Sequence, residues 1–146
     1  MDLNKFLPYQ LSVLSNKIST GIAKYYREQH GITIAQWRVL ALLSDKCNQT
    51  AKELTIKSQM DKVRVSRTMK SLEDRSFISQ QACDKDKRAR RYKLTKEGTA
   101  LINQVKPKAI AFEKRLLQTL NPQQTQHLQS CIKALNSQVD KITKEI

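Results

Sequence analysis

The chain has 146 residues, and its 27 Lys and Arg against 13 Asp and Glu give a formal net charge of +14 at pH 7. This length fits one ordinary domain, and 39% hydrophobic with 27% charged residues is the composition of a globular rather than a disordered chain. The chain has only 3 Gly and 3 Pro, which disfavours a turn-rich β-sandwich and predicts a mostly helical fold. The sequence has neither a long apolar run nor a secretory signal, which predicts a cytoplasmic protein without a membrane span.

The first half of the chain carries the signals of four helices, at about residues 8–28, 34–45, 51–57 and 62–75. Thr33 with Gln36 and Thr50 with Glu53 match the capping-box pattern that opens a helix, and Asp61 is suited to an N-cap. The first helix has one apolar stripe, formed at spacings of three and four by Leu11, Leu14, Ile18, Ile22 and Tyr25.

The fourth predicted helix, residues 62–75, is amphipathic. Turning successive residues by 100° places Val65, Met69 and Leu72 on one narrow stripe, which predicts that they face the core. The opposite, outward side is basic in its N-terminal half and carries Val63, Arg67, Lys70 and Asp74, with Arg64, Ser66 and Ser71 beside them. A helix of this kind fits the major groove of DNA, where its first residues meet base edges.

After residue 76 the apolar period changes from 3.6 to 2. Residues 77–83 and 91–95 therefore predict the two strands of a β-hairpin. The segment 84–93 between and within them has six basic residues in ten positions. An arginine on such a narrow loop fits the minor groove of A·T-rich DNA, where the negative potential is deepest.

The C-terminal part predicts two further helices, at about residues 96–119 and 122–144. Pro107 lies inside the first of them and predicts a kink or an interruption there. The last helix has an a/d seam of nearly three heptads, formed by Leu128, Ile132, Leu135, Val139, Ile142 and Ile146. Such a seam either folds back onto the central unit or pairs with a second copy of the chain, and its regularity favours dimerisation.

The predicted element order is α-α-α-α-β-β-α-α. It indicates a mostly α fold with a small β-hairpin, namely a winged helix-turn-helix domain flanked by long N- and C-terminal dimerisation helices. We expect one compact chain that is organised as an N-terminal dimerisation helix (1–32), a DNA-binding region (33–95, with the recognition helix at about 62–75 and the wing at about 84–91) and C-terminal dimerisation helices (96–146).

The predicted DNA contacts are mostly basic or small polar side chains on these elements: Thr50, Lys62, Val63, Arg64, Ser66, Arg67, Lys70, Lys87, Arg88 and Arg90. Arginine can grip guanine bidentately or clamp a phosphate, and an exposed Val63 can meet a thymine methyl group. Thr50 stands at a helix N-terminus, where a phosphate can be held, although a simple N-cap is the alternative. Asp84 and Asp86 can pair with neighbouring cations and brace the wing.

Four stretches carry a family resemblance: Gln36-Trp-Arg-Val-Leu40, Met60-Asp-Lys-Val-Arg-Val-Ser-Arg67, the segment from Asp84 through Asp86 to Arg88, and Leu94-Thr-Lys-Glu-Gly98. With them the chain resembles the MarR family of winged-helix transcriptional regulators over essentially its whole length. The resemblance implies a homodimer whose first and last two helices form the dimerisation region. It also implies recognition helices in successive major grooves of a pseudo-palindromic operator, with wing arginines in the flanking minor grooves.

The resemblance also assigns individual roles. Arg67 matches the arginine of the recognition helix, Arg88 the arginine at the wing tip, and Asp86 the aspartate that braces the wing. Two positions depart from the pattern. Lys87 stands where arginine is common, so some bidentate bracing is lost, and Ser76 stands where a glycine often closes the recognition helix, which predicts a strained turn.

Many relatives respond to small phenolic or aromatic acids that are held between the dimerisation and DNA-binding parts. Tyr25, Tyr26, Trp37 and Arg38 are the candidates for such a ligand site, because they supply aromatic walls and a cation. Core packing of Trp37 and a surface position for Arg38 are the simpler alternatives, and we favour them.

The three cysteines predict no disulfide framework. Cys83 and Cys131 are interpreted as small buried hydrophobes and Cys47 as an accessible thiol, with redox sensing a minority hypothesis. The two histidines have no second and third ligand at metal spacing, and no catalytic constellation is recognisable, so we expect neither a metal, nor a cofactor, nor an enzyme.

The sequence therefore predicts a homodimeric, sequence-specific regulator of transcription that binds double-stranded DNA, in the form of a repressor relieved by a small ligand such as an aromatic acid. The alternative is a module that uses the same fold for non-specific nucleic-acid binding or for protein contact. No membrane association is expected.

Overall fold

A computed structural model describes residues 1–82 and 89–146 of the chain. After a 3-10 helix, Leu3–Lys5, these residues form six α-helices and three β-strands, in the order α1 Leu7–His30, α2 Ile34–Asp45, β1 Gln49–Thr50, α3 Ala51–Ser58, α4 Lys62–Asp74, β2 Ile78–Ala82, β3 Arg90–Leu94, α5 Lys96–Leu117 and α6 Pro122–Glu145. The predicted mostly helical fold with a small antiparallel hairpin is confirmed. None of the helices in these two ranges is long and apolar enough to cross a membrane.

Side-chain caps begin the helices where the sequence predicts them. Thr33 Oγ1 accepts a hydrogen bond from the Gln36 N–H at 3.1 Å, and Gln36 Oε1 accepts one from the Thr33 N–H at 2.9 Å. Thr50 and Glu53 make the same reciprocal pair at the start of α3, and Asp61 accepts from the Arg64 N–H at 2.8 Å. Each cap satisfies backbone donors that have no partner within the helix.

The sheet contains a strand that the sequence pattern misses. Its order is β1-β3-β2, with both pairs antiparallel, and β1 places Gln49 opposite Tyr92. Gln49 is fully buried, and its Nε2 donates to the carbonyl oxygens of Leu42 and Lys46 at 2.6 and 2.5 Å. These bonds hold β1 against the end of α2, and the pairing of β1 with β3 joins this segment to the hairpin.

One apolar core joins α2, α3, α4, the sheet and the first half of α5. As predicted, Val65, Met69 and Leu72 of α4 are buried in it. They share it with residues from each of the other elements, among them Val39 and Leu40 of α2, Leu54 of α3, Ile78 of β2, and Leu101, Ile102 and Val105 of α5. The outward face of α4 is thereby held on a rigid support.

Helix α1 meets this core near its C-terminal end, where Ile22 of the predicted stripe packs against the core. Its buried residues are Ala23 and Tyr26, near its C-terminal end. Leu11 and Leu14 of the predicted stripe are 47% and 51% exposed. The N-terminal half of α1 therefore presents apolar side chains to solvent in the single chain.

Helix α5 runs without interruption from Lys96 to Leu117, so of the two alternatives predicted at Pro107 the interruption is wrong, and the kink stays a prediction. Ile102 and Val105, which precede the proline, are buried, and their packing offsets the backbone hydrogen bond that proline cannot donate. The chain divides into two compact units, Met1–Ala109 and Ile110–Ile146.

The second unit contains the end of α5 and the whole of α6. The a/d seam of α6 is exposed along its length, and so is Cys131 beside it. The prediction of a buried Cys131 is therefore wrong, because burial of this side chain needs a further helix against the seam. Cys47 is exposed as predicted, whereas the position of Cys83 lies outside the described residues.

The turn after α4 is strained at the position predicted from the family pattern. Ser76 has a φ of 62°, and the Phe77 N–H donates to the Leu72 carbonyl at 2.9 Å, as in a Schellman motif. We expect Ser76→Gly to raise the free energy of unfolding by about 1 kcal/mol, because glycine adopts this conformation without a Cβ clash. Urea denaturation measures the change.

Ser79→Gly in β2 is the matched control for that substitution. Glycine inside a strand weakens it, so this variant is expected to unfold at lower urea than the wild type. A Ser76→Gly midpoint at or below that of the wild type would contradict the strain argument.

Candidate nucleic-acid interface

Helix α4 exposes a continuous basic face. Asp61 caps its N-terminus, and the burial of Val65, Thr68, Met69 and Leu72 fixes its rotation about its own axis. Every predicted contact on this helix is exposed, namely Lys62, Val63, Arg64, Ser66, Arg67 and Lys70. The structure thus brings six of the ten predicted DNA contacts onto one face of a rigidly held helix.

Val63 and Lys70 show how this face is composed. Val63 is 59% exposed although it is apolar, which suits a contact with a thymine methyl group. Lys70 Nζ lies 3.9 Å from Asp74 Oδ1, and both side chains are mostly exposed. An exposed ion pair of this kind is weak, so Lys70 remains available to a phosphate but shares its charge with a neighbour.

At the N-terminus of α3, the polar groups of Thr50 and Glu53 are largely taken up by hydrogen bonds of the helix cap. The Thr50 N–H donates to Glu53 Oε2 at 2.9 Å, and Thr50 Oγ1 accepts from the Glu53 N–H at 3.2 Å. The Thr50 hydroxyl hydrogen and the N–H groups of Ala51 and Lys52 in the first turn are the donors suited to a phosphate. The pKa of Glu53 is lowered, first by the hydrogen bond from the Thr50 backbone and also by the nearby cations, against a rise from desolvation.

Arg91 joins the hairpin to this helix start. Its Nη1 donates to the Asn48 carbonyl at 2.8 Å and lies 3.8 Å from Glu53 Oε2. In the sequence Arg91 has no distinguishing feature, because it is one of six basic residues in the run 84–93. Its role as a tie between β3 and the start of α3 depends on a contact across 43 residues, for which the sequence has no signal.

Of the predicted contacts in the basic segment 84–93, the structure describes Arg90. Arg90 is exposed at the first position of β3, opposite Ala82 of β2. Lys87 and Arg88, and the bracing residues Asp84 and Asp86, lie outside the described residues.

A groove of about 710 Å³ lies between α3, α4 and the sheet. Lys52 of α3 and Lys62 and Lys70 of α4 line it together with Met69 and Tyr92. Burial raises the pKa of Tyr92, and the charge of Glu73 raises it further. The two helices therefore present lysines on either side of a mostly apolar groove.

The four candidate ligand residues do not form one pocket wall. Tyr26 is buried and stacks on Trp37, with 5.4 Å between the ring centroids and 21° between the ring planes. Burial raises the pKa of Tyr26, while the charges of Arg27 and Arg38 lower it. Tyr25 and Arg38 are half-buried. A cavity of about 290 Å³ places Trp37 with Ala41, Ser44, Asp45, Ile102 and Lys106.

A short helix, a turn, a second helix with an exposed basic face and then a β-hairpin define a winged helix-turn-helix DNA-binding protein. Comparison with known proteins identifies the family within this class. The model of the MarR family matches residues 32–89. The HTH-type transcriptional regulator YwoH of Bacillus subtilis (strain 168) is 31% identical over 118 residues, which are 79% of this chain and 82% of that protein.

Solved structures agree with this assignment. A MarR/EmrR family transcriptional regulator from Acinetobacter sp. ADP1 superposes with a TM-score of 0.88 at 28% identity, covering 97% of this chain and 99% of that one. A MarR family regulator from Silicibacter pomeroyi DSS-3 has a TM-score of 0.83 at 27% identity, covering 95% and 98%. The chain belongs to the MarR family and is a DNA-binding transcriptional regulator.

Proposed function

We propose that the chain acts as a homodimer that binds a pseudo-palindromic operator and represses transcription, and that a small ligand relieves the repression. The observation that carries the proposal is the outward face of α4, where Arg64, Arg67 and Lys70 stand with an exposed Val63. A purely phosphate-binding helix needs only cations. An apolar side chain among arginines is suited to reading bases.

The proposed contacts divide into base readers and phosphate clamps. Arg67 and Val63 meet base edges in the major groove, with Arg64, Ser66, Lys62 and Lys70 beside them. Thr50 and the first turn of α3 hold a phosphate. From the wing, Arg88 enters the minor groove with Lys87 and Arg90 at its sides, and Asp84 and Asp86 brace it.

Dimerisation is supported by the apolar surface of the terminal helices. The α6 seam is exposed in the single chain, and so are Leu7, Leu11 and Leu14 of α1. Exposed apolar surface of this extent marks an interaction site, and an a/d seam fits another helix. We therefore assign residues 1–32 and 96–146 to dimerisation and residues 33–95 to DNA binding.

Relief of repression by a ligand requires a binding site, and a ligand bound there must favour a state of the protein with reduced affinity for DNA. The cavity beside Trp37 supports an aromatic acid, since the indole supplies an aromatic wall and Lys106 a cation for a carboxylate. Tyr26, which stacks on Trp37, would then support the indole from behind, and Tyr25 and Arg38 would flank it. Repression follows where the operator overlaps a promoter.

Selection of bound duplexes from a random DNA pool at physiological salt tests this function. Recovery of a pseudo-palindrome with half-sites about one helical turn apart would support a dimeric, sequence-specific regulator. Tight, salt-sensitive binding without enrichment would contradict it and would favour non-specific packaging, in which the basic face only meets the backbone. Binding of neither kind would favour a protein-contact module.

Asp74→Asn is expected to tighten operator binding, by about two- to fivefold at low salt. The substitution removes a negative charge from the proposed DNA face and releases Lys70 from its ion pair. Fluorescence anisotropy at two salt concentrations measures the effect, which should shrink as salt rises. Asp140→Asn on α6 is the control that removes the same charge elsewhere, and equal affinities for the two variants would contradict the expectation.

A further inference from the structure

The end of α4 is hydrogen-bonded to the turn between α1 and α2. Arg75, the residue after α4, donates from Nη2 to the His30 carbonyl at 2.7 Å and from Nη1 to the Gly31 carbonyl at 3.0 Å. Its guanidinium also lies 5.0 Å from the centroid of the Phe77 ring. A planar guanidinium held by two acceptors and an aromatic ring has a fixed orientation.

A second side-chain hydrogen bond joins the same two regions. Gln36 Nε2 donates to Ser71 Oγ at 2.8 Å, one helical turn before Arg75. The Oε1 atom of Gln36 accepts from the Thr33 N–H, so its amide is held at both ends. The last turn of α4 is therefore fixed to residues 30–36 at two points.

Of these two links, only the one from Arg75 reaches α1 directly. His30 is the last residue of α1, and Gly31, with a φ of 61°, ends that helix in the left-handed conformation. Helix α1 also contacts the core through its buried residues Ala23 and Tyr26, through Ile22 beside them, and through the stacking of Tyr26 on Trp37 of α2. Helix α2, in contrast, shares the core with α4 along its whole length. Arg75 adds to these contacts a two-pronged hydrogen bond between the end of α4 and the end of α1.

We propose that Arg75 is a positioning residue that fixes α4 relative to α1, and thereby sets the spacing of half-sites that the dimer accepts. The inference rests on the proposed function, because α1 must belong to the dimer interface. Through Arg75, the position of the interface determines the separation and rotation of the two recognition helices. Without the link, the rigid unit that carries α4 can tilt as a whole against α1, so the dimer tolerates operators of altered spacing.

The test measures affinity for three operators, namely the selected pseudo-palindrome and versions with one base pair added or removed between the half-sites. One base pair changes the separation by about 3.4 Å and the rotation by about 35°. We expect the wild type to lose about tenfold or more in affinity with either change. Arg75→Met keeps an unbranched apolar side chain near Phe77 but loses the donors, and it should reduce this loss to about threefold.

Arg75→Lys keeps the charge but not the two-pronged donor, so its spacing preference is expected to fall between those of wild type and Arg75→Met. Arg27→Met removes the same charge one turn before the acceptor carbonyls and should keep the wild-type preference. If Arg75→Met does not fold by circular dichroism, Arg75→Lys serves as the test, since it also loses the two-pronged link, and a spacing preference equal to that of the wild type would then overturn the inference.

An unchanged ratio of affinities across the three operators in Arg75→Met would overturn the inference, even if all three affinities fell together, because that is the effect of a merely structural residue. Failure of the wild type to bind any selected operator would instead overturn the proposed function. The two failures are therefore distinguishable in one experiment.

Discussion

Replacing Arg67 with alanine is expected to lower affinity for the selected operator by about tenfold to a hundredfold per half-site, and to flatten base preference at one position of that half-site. Arg67 is exposed in the middle of the outward face of α4, whose rotation is fixed by buried residues on the other side. Its guanidinium fork can donate to the O6 and N7 atoms of one guanine. Alanine leaves both acceptors without a partner.

The measurement is a repeat of the selection with the variant, followed by anisotropy on the wild-type operator. Arg67→Lys keeps the charge but not the fork, and should recover affinity without recovering the base preference. Arg88→Ala is expected to weaken binding to A·T-rich flanks instead, because it removes the side chain that we propose for the minor-groove contact. Wild-type binding by both alanine variants would show that this interface is wrong.

The parts of the fold that depend on neighbours in sequence are the parts that the sequence predicts well. The starts of α2, α3 and α4 are set by Thr33, Thr50 and Asp61, each of which bonds to a backbone N–H three residues on. The amphipathic pattern of α4 likewise places Val65 and Arg67 on opposite sides without any knowledge of the tertiary structure. Local chemistry of this kind leaves its pattern in the sequence.

Contacts between distant residues leave no such pattern. Strand β1 has only two residues, too few for a period-2 signal, and its partner in β3 is more than forty residues further along. Arg91 and Arg75 both bond to backbone carbonyls, which every residue has, so nothing at Asn48 or His30 marks the acceptor. The residues that orient the interface are therefore found only in the structure.

Periodicity also predicts a face without predicting what covers it. Leu11 and Leu14 form a regular stripe on α1, yet Ala23 and Tyr26 are the residues that enter the core. Cys131 stands next to an apolar seam and is nevertheless exposed. A single chain leaves these faces in water, and under the proposed function a second copy of the same chain covers them.

Introducing two carboxylates into the α6 seam, with Ile132→Asp and Leu135→Asp, is expected to abolish the dimer. Both side chains are apolar and substantially exposed in the single chain, at 49% and 40%. Burying unpaired carboxylates between two helices costs several kcal/mol each, which exceeds what the remaining seam residues contribute. Sedimentation at micromolar concentration should show the wild type at twice 16.8 kDa and the variant at 16.8 kDa.

Ser130→Asp with Ser137→Asp adds the same charge on the opposite side of α6 and should leave the dimer intact, because 200° and 180° separate these positions from the seam residue Leu128. Circular dichroism should show unchanged helicity in both double variants. If the seam variant is monomeric, its affinity for the operator must also fall, because a monomer binds one half-site and loses the gain in affinity that comes from linking two binding units. A wild-type species of 16.8 kDa, or a dimeric seam variant, would contradict the assignment of α6 to dimerisation and would leave its apolar face to another partner.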